Sequence, residues 1–206
     1  MKKLIPLMLV AFAIVFTAFT AEEKEKFPTI KNGEKMPKAN VALLDVSGDK
    51  LSLNDIKKEN GTIVIFSCNT CPFVIQWEDR YTEIEMYANR MNFGLVYLNP
   101  NENQRDGVDS YEAMQEHAKK YDYKAPYLVD EKSKLANAFG AKTTPHVFLF
   151  DKNDVLVYQG SIDDNSKDKN AVKAHYLRDA LMNLFNGKAV EVAESKAVGC
   201  SIKRVK

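Results

Sequence analysis

A run of β-branched and aromatic residues leads directly into two cysteines and a proline, and a helical pattern begins at once. Residues 62–67 read Thr-Ile-Val-Ile-Phe-Ser, which is the pattern of a strand buried on both faces of a sheet. The next five residues are Cys68-Asn69-Thr70-Cys71-Pro72. After them, apolar residues recur every three or four positions, at Val74, Trp77, Tyr81, Ile84 and Ala88. A buried strand followed by an amphipathic helix predicts an α/β fold, with the cysteines at the junction of the two elements.

The position of the proline assigns different roles to the two cysteines. Proline is favoured at the first helical position, so Pro72 makes Cys71 the residue that caps the helix. The sulfur of Cys71 then faces unpaired N–H groups and the positive end of the helix dipole, which favour the thiolate. We therefore expect Cys71 to be the nucleophile and Cys68 the resolving thiol, while Asn69 and Thr70 shape the turn between them.

Two other interpretations of the cysteine pair stay open. A structural disulfide is one of them, although so small a loop restricts the unfolded chain very little. A metal site is the other, because CxxC is half of a zinc knuckle and soft thiolates suit copper. No second CxxC or HxxxH follows in the sequence. We expect redox chemistry at the thiols, with no metal and no cofactor.

Shorter patterns complete the alternation of strands and helices. The predicted elements are a hairpin over 41–53, a strand over 93–98, a helix capped by Ser110, a strand over 126–129, a helix over 133–139 closed by Gly140, a hairpin over 146–158 and a last helix ending at Asn186-Gly187. This order indicates a mixed β-sheet with helices on both faces.

The first residues have the pattern of an export segment. A basic start precedes an apolar run over residues 4–19, and charged residues follow from Glu22, which predicts a signal peptide over residues 1–21. An uncleaved membrane anchor over residues 4–21 is the alternative. Either one exports the domain to the periplasm or another extracytoplasmic space. We then expect a linker over 22–38, one domain over 39–187 and a tail over 188–206 that contains Cys200.

Several separated segments resemble one protein family. They are Leu43–Leu53, Phe66–Phe73, Thr143–Asp151, Tyr158–Asp164 and Gly199–Lys203. Together they resemble the redoxin branch (alkyl hydroperoxide reductase and thiol-specific antioxidant) of the thioredoxin-like superfamily, and in particular its peroxiredoxin-like thioredoxin-domain proteins. The resemblance implies a central sheet flanked by helices. It also implies a cis peptide bond at Thr144-Pro145, which would face the thiols and offer its backbone to an extended substrate.

The sequence departs from the family pattern at two positions. Cys71 falls where the attacking cysteine of thioredoxins lies, but Val74 replaces their second cysteine, so the pair is shifted upstream by three residues. Cys71-Pro72 also matches the peroxidatic Cys-Pro of peroxiredoxins. Cys68 replaces the threonine that positions the peroxide in that family, and this argues against efficient peroxidase activity.

Other residues have weaker patterns. Cys200 is either a second resolving thiol or a buried cysteine that packs the tail onto the domain. His146 follows Pro145 and reads as an ordinary strand residue, Trp77 as a core residue and Asp163-Asp164 as a solvated turn.

These observations favour an exported thiol–disulfide oxidoreductase. A thiol peroxidase acting as an antioxidant is the alternative, and a copper or zinc chaperone is a second one. We expect protein or small-molecule disulfides as substrates, peroxides in the peroxidase alternative, and an external thiol as reductant. Lys and Arg number 29 against 28 Asp and Glu, so the chain lacks the positive surplus of a nucleic-acid binder. We expect no membrane contact outside the N-terminal segment.

Overall fold

The computed structural model describes residues 26–205, and its centre is a five-stranded sheet. The strands are β1 (Leu43–Leu44), β2 (Lys50–Leu51), β3 (Gly61–Phe66), β4 (Gly94–Asn99), β5 (Tyr127–Val129), β6 (Thr143–Thr144), β7 (His146–Asp151), β8 (Leu156–Gly160) and β9 (Cys200–Ser201). The helices are α1 (Leu53–Ile56), α2 (Pro72–Arg90), α3 (Tyr111–Lys120), α4 (Lys134–Phe139) and α5 (Tyr176–Phe185), with short 3-10 helices at Glu102–Gln104, Glu131–Ser133 and Lys169–Ala171. The predicted α/β class is confirmed.

The central sheet is mixed, as expected. Its strand order is β5-β4-β3-β7-β8. Strands β3, β4 and β5 are parallel neighbours, whereas β7 runs antiparallel to β3 and β8 antiparallel to β7. Helix α2 connects β3 to β4, because two parallel neighbours need a crossover connection. Strands β7 and β8 form the hairpin predicted over 146–158.

Alternate side chains of β3 enter two different cores. Ile63 and Ile65 pack with helices α2, α3 and α5, whereas Val64 and Phe66 pack with α1 and α4. This division follows the two-residue period of a strand. Every residue of β3 is buried, which explains why the sequence shows a continuous apolar run there and not an alternation.

The longer helices begin and end close to the predicted residues. All five apolar positions of the α2 stripe are buried. The hydroxyl of Ser110 accepts the N–H of Ala113 at 3.2 Å and caps α3. Helix α4 ends at Gly140, whose φ of +62° is easily adopted only by glycine. These caps confirm the sequence prediction.

Helix α1 replaces the end of the predicted 41–53 hairpin. Strands β1 and β2 do pair antiparallel, but a helix begins at Leu53. The hydroxyl of Ser52 accepts the N–H of Asp55 at 3.3 Å, and the Asp55 carboxylate accepts the N–H of Ser52 at 2.9 Å. This reciprocal pair is a capping box, and it starts a helix where the sequence suggested a strand.

The segments before the hairpin are described in part. The predicted signal peptide over residues 1–21 lies outside the described residues, as do residues 22–25. The rest of the predicted linker packs on the domain. Ile30 donates its N–H to the Phe139 carbonyl at 3.1 Å, and Met36, which is buried, donates to the Asp154 carbonyl at 2.8 Å. No helix within residues 26–205 combines the length and apolar character needed to cross a bilayer.

The tail follows the domain surface in extended form. Gln159 donates its N–H to the Ala193 carbonyl at 3.1 Å, and Ser195 donates to the Gln159 carbonyl at 3.0 Å. Strand β9 then pairs antiparallel with β6, and Ile202 is buried in the core on the α1 and α4 side. The tail therefore reaches the end of the sheet where the cysteine pair lies.

Candidate active site

The turn that contains the cysteine pair connects the end of β3 to the start of α2. Ser67 donates its N–H to the Leu98 carbonyl at 2.8 Å, which continues the pairing of β3 with β4 by one residue. Cys71 has extended backbone angles (φ −66°, ψ 123°) and caps α2, with Pro72 at the helix start. This geometry is the one predicted, although the Cys71 side chain makes no capping hydrogen bond. Thr70 and Pro72 are exposed.

Three sulfur atoms come together at this turn. The Sγ of Cys71 lies 2.6 Å from the Sγ of Cys200 and 3.1 Å from the carbonyl oxygen of Thr144. Cys71 is 5% exposed and Cys68 is 2% exposed, while Cys200 is half-buried. All three cysteines are free. The structure therefore brings the tail thiol into the same site as the CxxC pair.

The pKa of Cys71 is lowered to about 5. The largest cause is a hydrogen bond from Cys68, which stabilises the thiolate; burial opposes it. Cys200 and the backbone N–H of Val74, in the first turn of α2, lower the pKa further. The direction is the one predicted from the helix N-terminus, but the leading cause is the neighbouring thiol.

The pKa of Cys68 is raised far above its ordinary value. Its hydrogen bond to Cys71 is the largest cause, followed by burial, and the nearby negative charge of Asp109 adds a smaller effect. The Sγ of Cys68 also lies 3.1 Å from the Thr144 hydroxyl. The hydrogen bond between the two sulfurs therefore favours the thiolate at Cys71 and the thiol at Cys68.

Thr144, which precedes Pro145, faces the thiols, as the family resemblance implied. The peptide bond between them is cis. Through its hydroxyl Thr144 contacts Cys68, and through its carbonyl it contacts Cys71. The backbone edge at Thr143–Thr144 is occupied, because β9 pairs with it and places Cys200 opposite Thr144.

A buried carboxylate that the sequence did not reveal holds the turn in place. Asp109 is 1% exposed, and its Oδ1 accepts the N–H of Asn69 and the side-chain amide of Asn99, each at 2.9 Å. The side-chain oxygen of Asn69 in turn accepts the hydroxyl of Tyr127 at 2.9 Å. In the sequence, Asp109 precedes the capping residue Ser110 and looks like part of an exposed turn.

Asp163 is not part of a solvated turn, and that prediction was wrong. Its side chain is 4% exposed, accepts the indole N–H of Trp77 at 2.9 Å and lies 3.3 Å from Nε of buried Arg80. Asp164, its neighbour, is exposed. Trp77 is a core residue, as predicted, and the buried partner of its N–H is this carboxylate.

The two histidines of the described core lie in ordinary packing positions. His146 is a strand residue, as predicted; its Nδ1 accepts the N–H of Lys142 at 3.3 Å, and burial lowers its pKa to about 3. His117 contacts the carboxylate of buried Glu78. Within residues 26–205, no group of three or more His, Cys, Asp or Glu side chains is arranged to hold a metal ion.

Comparison with known proteins agrees with this architecture. A family model, Redoxin, matches residues 31–175. An uncharacterized conserved protein from Geobacillus kaustophilus is 31% identical, with 87% of this chain and 93% of that chain covered and a TM-score of 0.75. A hypothetical protein from Sinorhizobium meliloti 1021 is 29% identical, with 86% and 97% covered and a TM-score of 0.78.

A more distant likeness concerns the fold alone. Peroxidoxin BcpB from Mycobacterium tuberculosis is 13% identical, with 77% of this chain and 97% of that chain covered and a TM-score of 0.58. No curated protein matches the chain. Since the family model spans the central sheet, the CxxC turn and the cis-proline, the chain belongs to the Redoxin family and is a thiol-dependent oxidoreductase with a thioredoxin-like fold.

Proposed function

We propose that the chain is an exported thiol–disulfide oxidoreductase in which Cys71 attacks and Cys68 resolves. These roles are supported by the pKa values of the two neighbouring thiols, which are shifted in opposite directions: the pKa of Cys71 is lowered and that of Cys68 is raised. The attacking species in disulfide exchange is a thiolate, so Cys71 is the competent nucleophile at neutral pH. Export is supported by the residue pattern of the N-terminal segment.

In the first step, the Cys71 thiolate attacks one sulfur of a substrate disulfide. A bond forms between Cys71 and that sulfur, and the second substrate sulfur leaves as a thiolate that takes a proton from solvent. In the second step, the Cys68 thiolate attacks the Cys71 sulfur and displaces the remaining substrate thiolate. The protein has then lost two electrons to the substrate and contains a Cys68–Cys71 disulfide, which an external dithiol reduces.

The order of these steps follows from the charges. While Cys71 is a thiolate, Cys68 holds its proton, because its hydrogen bond to Cys71 raises its pKa. Once Cys71 is part of a mixed disulfide, its negative charge is gone and this cause disappears. The pKa of Cys68 then falls, so the resolving thiol becomes nucleophilic only after the first step.

Thiolate titration of single variants tests the assignment. In Cys68→Ala, Cys71 loses the hydrogen bond that most lowers its pKa, so its titration midpoint should rise. Cys200→Ala should raise it less, because Cys200 is a smaller cause. Reaction with 2-hydroxyethyl disulfide should stop in Cys71→Ser, and a Cys68→Ser, Cys200→Ser double variant, which has no second thiol at the site, should accumulate a mixed disulfide on Cys71 that mass spectrometry detects. A Cys68 that titrates below Cys71, or full activity in Cys71→Ser, would contradict the proposal.

One observation favours a peroxidase as second candidate. Cys71 is only 5% exposed and the tail covers it, so a peroxide reaches it more easily than a large disulfide does. The Cys71 thiolate would attack one peroxide oxygen, giving a sulfenic acid and an alcohol or water, and a second thiol would then condense with it and release water. A reaction with hydrogen peroxide no faster than that of free cysteine excludes this candidate.

A further inference from the structure

The C-terminal strand occupies the position that an extended substrate would need. Strand β9 pairs antiparallel with β6, with Cys200 opposite Thr144 and Ser201 opposite Thr143. Addition of a strand to a free sheet edge is a common way for proteins to bind extended polypeptides. The edge next to the cis-proline is thus filled by the chain itself.

The sulfur of this strand takes the place of a substrate sulfur. Cys200 Sγ lies 2.6 Å from Cys71 Sγ, and Cys71 is the thiol with the lowered pKa. A polypeptide disulfide bound in the same register would place its reacting sulfur at this point.

The residue before Cys200 fits because it has no side chain. A Cβ built on Gly199 would lie 2.3 Å from the carbonyl oxygen of Thr144. This is the carbonyl that lies 3.1 Å from the Cys71 sulfur. Any strand bound here in the same register therefore needs glycine before its cysteine, or it must move away from the thiols.

Residues after Cys200 attach the strand to the domain through burial and hydrogen bonds. Ile202 is 7% exposed and donates its N–H to the Lys142 carbonyl at 3.1 Å. Lys203 donates its N–H to the side-chain oxygen of Asn101 at 2.9 Å. The Arg204 guanidinium donates to Asn137 Oδ1 at 2.7 Å and to the Ala141 carbonyl at 2.6 Å.

We propose that residues 199–204 are a resident substrate strand, and that an extended polypeptide disulfide reaches Cys71 only by displacing them. This inference rests on the proposed role of Cys71 as the attacking thiol. The matching substrate class is an extended segment with glycine before its cysteine and an aliphatic residue two positions after it, as in Gly199-Cys200-Ser201-Ile202. Small disulfides do not need the strand edge.

Tethering makes the resident strand a strong competitor. A segment attached to the same chain competes at an effective concentration on the order of millimolar, so a micromolar polypeptide binds mainly after the strand has opened. The observed rate for a polypeptide then scales with the fraction of molecules in which residues 199–204 have left the edge of β6. The rate for a small disulfide depends much less on this fraction.

Two probes with the same leaving group allow the rate for a polypeptide disulfide to be compared with the rate for a small disulfide. One is the mixed disulfide of thionitrobenzoate with 2-mercaptoethanol, and the other is its mixed disulfide with the peptide acetyl-Val-Gly-Cys-Ser-Ile-Lys-amide. In each reaction the Cys71 thiolate attacks the sulfur of the carrier, and coloured thionitrobenzoate leaves. All proteins carry Cys200→Ser, so that the tail thiol itself does not react.

The strand is loosened by Gly199→Ala, which forces a methyl group against the Thr144 carbonyl, and independently by Arg204→Ala, which removes an anchor. Gly107→Ala is the matched control, because a Cβ there meets its nearest atom at 3.8 Å. Hydrogen exchange at the Ile202 amide reports strand opening. We expect the peptide rate to rise by about tenfold or more, in proportion to opening. The small-probe rate should change by less than about threefold, because Cys71 itself is unaltered.

A second peptide, with alanine in place of its glycine, tests the register. It should react about tenfold more slowly with the variants whose strand has opened, because its extra methyl group would clash with the carbonyl oxygen of Thr144.

Increased Ile202 exchange without an increased peptide rate overturns the inference, and so does a strand that neither variant opens, because it is then a permanent part of the fold. Equal rates for the glycine and alanine peptides overturn the proposed register. If neither probe reacts at Cys71 faster than with free cysteine in any variant, the proposed function itself fails.

Discussion

The Asp109 carboxylate accepts the backbone N–H of Asn69 at 2.9 Å, in the turn between the two CxxC cysteines. Its second oxygen accepts the side-chain amide of Asn101 at 3.0 Å. Because that amide donates to Asp109, the side-chain oxygen of Asn101 faces the tail, where it accepts the N–H of Lys203. One buried carboxylate therefore fixes the thiol turn and orients the group that holds the tail.

Asp109→Asn should loosen the tail without unfolding the domain. The new amide can still accept from Asn69 and Asn99, but its NH₂ then opposes the NH₂ of Asn101. If Asn101 rotates to relieve this, it turns a donor toward the N–H of Lys203. We expect a loss of about 1–2 kcal/mol in the free energy of unfolding, and faster hydrogen exchange at the Lys203 amide.

Asp106→Asn is the control for this change, because Asp106 is exposed in the same loop. Loss of the Asp109 charge should also lower the pKa of Cys68, since that charge helps to raise it. Unchanged exchange at Lys203 together with an unchanged Cys68 titration would show that Asp109 does not connect the two regions.

The lowered pKa of Cys71 predicts two effects of pH on the reduced protein. The rate with a small neutral disulfide should rise through a midpoint near the pKa of about 5 and level off by neutral pH, whereas free cysteine titrates near about 8.5. The second effect is on the free energy of unfolding, which should also depend on pH. The folded pKa lies below the unfolded one, so thiolate formation stabilises the fold increasingly as pH rises from about 5 to about 8.5.

Chemical denaturation of the reduced protein tests the second effect. The stability difference between the parent and Cys71→Ser should be larger at pH 8 than at pH 5, because this contribution is lost as pH falls through the folded pKa. A constant difference across this range, or a rate midpoint near that of free cysteine, would contradict the lowered pKa.

Two adjacent aspartates should respond very differently to truncation. Asp163 is buried between Arg80 and Trp77, so Asp163→Ala removes the buried one of the two carboxylates beside the Arg80 guanidinium and leaves the buried Trp77 N–H without its acceptor. We expect a loss of about 3 kcal/mol or more in the free energy of unfolding. Asp164→Ala should change it by less than about 0.5 kcal/mol, because Asp164 is exposed. Urea denaturation of both variants measures the contrast, and similar losses would show that Asp163 is not an important partner.

That contrast also shows what the sequence could reveal. Strand β3 and helix α2 were predictable because each repeats one pattern over many residues, and Pro72 marks the boundary between them. Asp163 and Asp164 have the same side chain in the same turn, and only tertiary packing distinguishes them. Strands β6 and β9 have two residues each and no local pattern; they exist because the tail returns from a distant part of the chain. The site of Cys200 follows from that return, so the sequence left open whether it is a second resolving thiol or a packing residue, and the structure shows its contact with Cys71.

The thiol that resolves the mixed disulfide should depend on the size of the substrate. A small disulfide leaves the tail in place, so Cys200, at 2.6 Å, competes with Cys68 for the Cys71 sulfur. A peptide that replaces the tail removes Cys200, and only Cys68 stays close. Peptide mapping after one turnover should therefore find Cys71–Cys200 disulfide with 2-hydroxyethyl disulfide as oxidant. With the thionitrobenzoate disulfide of acetyl-Val-Gly-Cys-Ser-Ile-Lys-amide as oxidant, it should find mainly Cys68–Cys71 disulfide.

Because disulfides exchange, the reaction is quenched with acid before mapping. Cys68→Ser serves as the control, since it can form only the Cys71–Cys200 bond. The same mixture of disulfides from both oxidants would show that the tail stays in place whichever substrate reacts.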